Sequence, residues 1–136
     1  MQSALRDDAL TTTATGVAVR IGLPWIRSLP LACVQDLVLT LDGEPVSEPQ
    51  LVLGDRVIPA DRAGAEQTWW FAQDRLVVAT DRVLRPGIHD VEVTFRLLIP
   101  YLLAGPGGGP LVLPVRLSGH LDLDGPTVPS VSLDVA

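Results

Sequence analysis

Lysine is absent from this chain. All ten basic residues are Arg, set against sixteen acidic ones, and the formal net charge is −6. The basic footprint that holds nucleic acid is missing, and so is one suited to an anionic membrane surface. Cysteine occurs once, at Cys33, which excludes an internal disulfide; small secreted sandwiches often use one. No apolar run reaches the roughly 18 residues of a membrane-spanning helix. The N-terminal stretch MQSALRDDALTTTATG has neither a basic n-region nor an apolar h-region. A signal peptide is therefore not expected, and the cytoplasm is the expected compartment. Helical patterning is also lacking: no window of helical length repeats its apolar residues with a period of 3.6.

The period that does occur is two. In VEVTFRL the odd positions Val91, Val93, Phe95 and Leu97 are apolar, and Glu92, Thr94 and Arg96 lie between them. That is the pattern of a half-buried strand. Leu37, Leu39 and Leu41 alternate with Val38 and Thr40. Val17, Val19 and Ile21 alternate with Ala18, Arg20 and Gly22. The same alternation runs from Leu113 to Leu123 and from Val131 to Val135. Twelve Pro and twelve Gly punctuate the chain at strand spacing. Strands are expected at 15–22, 35–42, 50–53, 67–72, 75–80, 88–98, 111–123 and 128–135, with tight turns at Asp42-Gly43 and Pro86-Gly87. The 136 residues, 47% of them hydrophobic, suit one domain with a real core. The fold class is all-β: a single antiparallel β-sandwich of about eight strands over 13–136, with 1–12 as a flexible N-terminal arm.

Candidate chemistry is sparse. His120, Asp122 and Asp124 alternate in HLDLD and share one strand face, a row that could ligate a divalent metal or simply be solvated. His89 and Asp90 are strand neighbours and point to opposite faces, so they do not form an acid–base pair. Cys33 has no nucleophile motif around it and reads as a small buried hydrophobe. The loop AGPGGGP, 104–110, is Gly-rich but leads into a strand, LVLPVRL, so a phosphate cradle is rejected. It can be a plain loop or a lid over a partner's site.

Two aromatic segments say more. In Trp69-Trp70-Phe71 one sandwich core can absorb one face only. If Trp69 and Phe71 are core, Trp70 faces outward, either toward a partner or under a local loop. In LPWIRSLPLACVQDLVLTLDGEPV, Pro24 and Pro30 exclude a regular helix and set an extended or turning path. Arg27 can stack on Trp25 or meet an acidic partner. The segment is either a crossover between two strands or a docking surface.

These segments together resemble one family. The run VRIGLPWIRSLPLACVQDLVLTLDGEPV is similar to the hallmark region of the small (β) subunits of bacterial C-glycoside deglycosidases. That region has an aromatic pair after its first Pro, then Arg, a small residue, Pro-Leu, and a strand ending in Asp-Gly-Glu. Arg27, Ser28, Pro30, Leu31, Asp36, Asp42, Gly43 and Glu44 fit; Ile26 stands where the second aromatic would be. Trp69-x-Phe71 resembles the family's Trp-x-Phe element. LRPGIHDVEVTFRLLIPY resembles its Leu-x-Pro-Gly-x-His-x-Val-Glu-Val strand leading to a Tyr, here Tyr101. The match covers roughly 15–101.

The resemblance implies a β-sandwich subunit of a hetero-oligomeric carbon–carbon lyase. Such a lyase cleaves the bond between a 3-keto sugar and an aromatic aglycone. It implies that the divalent metal, manganese by family expectation, and the catalytic base sit on a TIM-barrel α subunit. This chain would then hold no catalytic residue and no metal. Trp25, Arg27, Trp70 and Tyr101 are the expected partner-interface or substrate-side residues. The alternatives are a stand-alone cytoplasmic carbohydrate- or protein-binding module, and a metal enzyme acting alone through His120, Asp122 and Asp124.

Overall fold

The computed structural model describes residues 4–125 and 132–135. Its strands in chain order are β1 (Leu10–Thr12), β2 (Val17–Gly22), β3 (Leu29–Pro30), β4 (Val34–Leu41), β5 (Glu44–Pro45), β6 (Gln50–Leu53), β7 (Arg56–Pro59), β8 (Trp69–Trp70), β9 (Arg75–Thr80), β10 (Ile88–Ile99) and β11 (Leu111–Asp122). Short 3₁₀ turns occupy Leu31–Cys33 and Ala60–Ala65. One sheet has the order β1-β2-β9-β6-β7, the other β11-β10-β4-β5, and β3 pairs with β8 as a small ribbon. All named strand pairings are antiparallel. The all-β sandwich expected from the period-two pattern is the fold observed.

The alternation explains the core. Val17, Val19, Ile21, Leu76 and Val78 of the first sheet are buried, as are Leu39, Leu41, Val91, Val93, Phe95, Leu97 and Ile99 of the second. Each fully buried side chain of this size contributes about 1.5–3 kcal/mol against exposure. The turn chemistry also matches its residues. Asp42 and Gly43 both have positive φ (51° and 81°) and close β4 onto β5, a backbone path that Asp and Gly tolerate. Asp36, at φ 55°, sits opposite a register shift between Thr94 and Arg96. This bulge interrupts the row of leucines, so Leu39 and Leu41 are buried while Leu37 is half-exposed.

Three expectations are corrected or bounded. Residues 4–12 do not form a loose arm: β1 pairs with β2, and Ala9 and Leu10 are fully buried. The Gly22 N–H also donates to the Ala4 carbonyl at 2.7 Å. The physical reason is that Leu10 has apolar space to fill at the open side of the sandwich, and pairing satisfies the backbone that reaches it. The expected strand 67–72 shrinks to the two residues of β8, because its backbone pairs with the Leu29-Pro30 crossover and not with a sheet. Of 128–135, residues 128–131 lie outside the described residues, and Asp134 makes a parallel bridge to Arg75. β1, β3, β5 and β7 were not anticipated; Gly54-Asp55, between LVL and RVI, is the two-residue hairpin signal for β7.

Candidate functional site

Gly22 pairs with Arg75 at one end of the first sheet; Val34 pairs with Leu97, and Ile99 with Leu111, at one end of the second. The segment 23–33 joins Gly22 to Val34, so these are the same end of the sandwich. Three connections meet there: 23–28, the stretch around β8, and 100–110.

The three are tied by named contacts. The Trp25 indole Nε1–H donates to the Tyr101 hydroxyl. The Arg27 guanidinium lies over the Tyr101 ring, 5.5 Å from its centroid, a cation–π geometry. The Ala72 N–H donates to Ser28 Oγ at 2.8 Å, and β3 pairs Leu29 with Trp70. Trp25, Arg27 and Tyr101, expected separately from the sequence, thus form one cluster. Pro24 and Pro30 set the extended path that delivers Trp25 and Arg27 to it.

Trp70 does not belong to this cluster, which is a correction. It is 1% exposed, whereas Trp69 and Phe71 are 49% and 54% exposed. Trp70 packs at 6.2 Å, tilted 43°, on Phe95, and its Nε1–H donates to the Asp74 carbonyl at 3.0 Å. Period two shows that Trp69 and Trp70 take opposite faces but not which face is inner. Pairing of β8 with β3 settles it, because Trp70 sits opposite buried Leu29.

The exposed end is apolar and poor in charge. Ile26 is 76% exposed, and Tyr101, Leu102 and Leu103 are exposed with Trp69 and Phe71. Between Ile21 and Gln35 the one charged residue is Arg27; from Gln67 to Gln73 there is none. Among the described residues Arg27 makes no ion pair. Ile26, Trp69, Phe71, Leu102 and Leu103 were missed as site residues, although their lack of charged neighbours was legible.

The other candidates are engaged elsewhere. His120 pairs with Asp90, and Asp124 accepts from the Thr12 N–H and hydroxyl at 2.8 and 2.6 Å. The row HLDLD is therefore split between two sheets. Among the described residues no group of three His, Cys, Asp or Glu side chains comes together for a metal. His89 contacts the Arg85 carbonyl at 2.6 Å and Asp42 Oδ2 at 2.7 Å. With an acceptor at each ring nitrogen, the imidazole is held above its ordinary pKa, first by the Arg85 carbonyl and then by the Asp42 carboxylate. Cys33 is buried, and burial pushes its thiol up, the opposite of an activated nucleophile. A hollow of 890 Å³ beside β4 and the Ala60–Ala65 turn is lined by Asp36, Glu48, Arg62 and Arg96 among others, and by no His, Ser or Cys. In 104–110, Gly107 and Gly108 have positive φ and turn the chain into β11, not into a helix.

No family model matches the chain. Curated relatives do. The chain is 32% identical over 99 residues to the 3'-dehydrocarminate deglycosidase beta subunit of a Microbacterium species, covering 70% of this chain and 75% of the relative. It is 31% identical over 103 residues to a C-glycoside deglycosidase beta subunit of Arthrobacter globiformis, covering 72% and 79%. A second such subunit of that organism is 31% identical over 110 residues, covering 76% and 83%. With this similarity spanning most of both chains, on an all-β sandwich whose aromatic end gathers Trp25, Arg27 and Tyr101, the protein belongs to the C-glycoside deglycosidase β-subunit family.

Proposed function

We propose that this chain is the small subunit of a hetero-oligomeric lyase that cleaves the carbon–carbon bond between a 3-keto sugar and an aromatic aglycone. The single observation that carries the reading is the similarity to named β subunits across three-quarters of their length. The described residues add an apolar, aromatic end of the kind a partner subunit covers.

The division of labour follows from the chemistry. A ketone beside the reacting carbons acidifies the adjacent proton, so elimination of the aglycone needs a general base and Lewis-acid help at the carbonyl. A divalent metal, manganese in this reading, would supply that help from a TIM-barrel α subunit. This chain's own part is to bind the α subunit through the end that carries Trp25, Arg27 and Tyr101. Tyr101 is central, since it receives the Trp25 hydrogen bond and carries the Arg27 stack.

The test is to search the neighbouring reading frames for a sugar-isomerase-like barrel, co-express it with this chain, and assay aglycone release from a 3-keto C-glycoside. Release is expected from the pair and not from either chain alone. W25A and R27A should weaken co-purification and lower turnover; a complex and turnover unchanged in both would sink the interface assignment. Saccharide binding by the isolated chain, with no complex, would favour a stand-alone binding module instead.

A further inference from the structure

The connection between β10 and β11 is the most unusual stretch of the surface. Between Arg96 and Arg116 the sequence has no charged residue, although charged residues make up 19% of the chain. Part of that run is core, since Leu97 and Ile99 are fully buried. Beyond Ile99 the reason of burial ends, yet Tyr101, Leu102 and Leu103 stay apolar, and Leu103 is 69% exposed.

The connection is built, not slack. The Leu111 N–H donates to the Leu102 carbonyl at 2.7 Å, and the Gly105 N–H to the Gly109 carbonyl at 2.9 Å. With the Leu102 N–H donating to the Ile99 carbonyl at 3.2 Å, these bonds close an ordered loop at the end of the β10–β11 hairpin. Gly107 and Gly108, at φ 67° and 78°, turn its tip, which glycine alone does without strain. The Trp25 bond and the Arg27 stack brace its base through Tyr101. The result is an ordered hairpin end that exposes Leu102 and Leu103 and carries no charge. Depletion of charge is what distinguishes the core of a protein–protein interface from ordinary surface.

We propose that the hairpin 100–110 inserts into an apolar cleft of the larger partner subunit. Leu102 and Leu103 would form the buried centre, and Arg27 at the rim would face a carboxylate of that subunit. This rests on the subunit reading above. Charge identifies the occupant. Arg27 has no ion-pair partner among the described residues, and the segments 21–35, 67–73 and 97–115 hold no acidic residue. A second copy meeting this end with its own would bring only Asp74 beside these segments, and its carboxylate already accepts from the Leu133 N–H. A different subunit with an acidic rim and an apolar floor supplies the counter-charge.

The experiment measures the affinity of the full chain for the larger subunit with which it yields aglycone release in the co-expression test above. L103D is compared with V83D, a substitution at a still more exposed valine in the 81–87 connection, away from this end. L103D should weaken binding roughly 30-fold or more, as loss of a central interface anchor does, while V83D binds as wild type. Should L103D fail to give folded protein, L103S is expected to shift affinity in the same direction. Wild-type affinity in a folded Leu103 variant overturns the hairpin as the interface centre while leaving the subunit reading intact. Equal losses in L103D and V83D also overturn it. No binding by the wild-type chain overturns the subunit reading itself, and the hairpin's occupant with it.

Discussion

Trp70→Ala tests which face of the β8 ribbon is the core. The indole is almost wholly buried, stacks on Phe95 and donates to the Asp74 carbonyl. Truncating a buried Trp to Ala costs about 3–5 kcal/mol in transfer and cavity terms. The aromatic contact, worth about 0.5–1.5 kcal/mol, falls within that range. For a domain between the small and mid-sized classes this lowers Tm by roughly 10–15 °C. Trp70→Phe should cost less, because the ring stays and the loss is mainly the indole hydrogen bond, about 1 kcal/mol, with some packing. Trp69→Ala is the control. Its side chain is half in water already, so its loss costs about 1 kcal/mol. The assay is urea unfolding of each purified variant followed by far-UV circular dichroism, with a common slope confirming that the denatured states are comparable. If Trp69→Ala destabilises as much as Trp70→Ala, or if Trp70→Ala costs under about 1 kcal/mol, the assigned pleat is wrong. The placement of Trp69 and Phe71 on the outer surface would fall with it.

Two further predictions concern groups outside the Trp25–Arg27–Tyr101 cluster. His89 has a folded pKa above its ordinary value, so it binds its proton more tightly folded than unfolded. Its contribution to stability is then complete below the unfolded value of about 6.5 and is lost as pH rises through the raised folded value; H89Q should flatten this part of the stability-versus-pH curve, and an NMR titration of His89 at or below the ordinary value would refute it. Asp8 and Arg75 pair at 2.9 Å with both side chains largely buried, so D8N should destabilise by about 3 kcal/mol, read by urea unfolding, and a cost below about 1 kcal/mol would show that the pair acts as a surface one.

How far the fold was legible follows from where each element takes its instructions. β10 carries its own: Val91, Val93, Phe95 and Leu97 alternate with polar residues and are buried as that pattern requires. Asp42-Gly43 likewise carries its turn, because few other residues accept two positive φ values in succession. β1 carries no such pattern in ALTTTA, and becomes a strand because β2 offers an edge and Leu10 a space. The resemblance in 19–44 and 84–101 reached the family, which the relatives then establish.

The candidate site divides the same way. Composition alone marked the charge-poor segments, and Pro24 and Pro30 limit the path between them through local sterics. That Trp25, Arg27 and Tyr101 meet was not decided locally, since Tyr101 is far along the chain and reaches Trp25 only when β10 and β4 pair. Trp69 and Trp70 show the limit most clearly. Their order makes them face opposite ways, because successive strand side chains alternate. Only the pairing of Trp70 with Leu29, a tertiary contact, decided which of them fills the core and which is left at the surface.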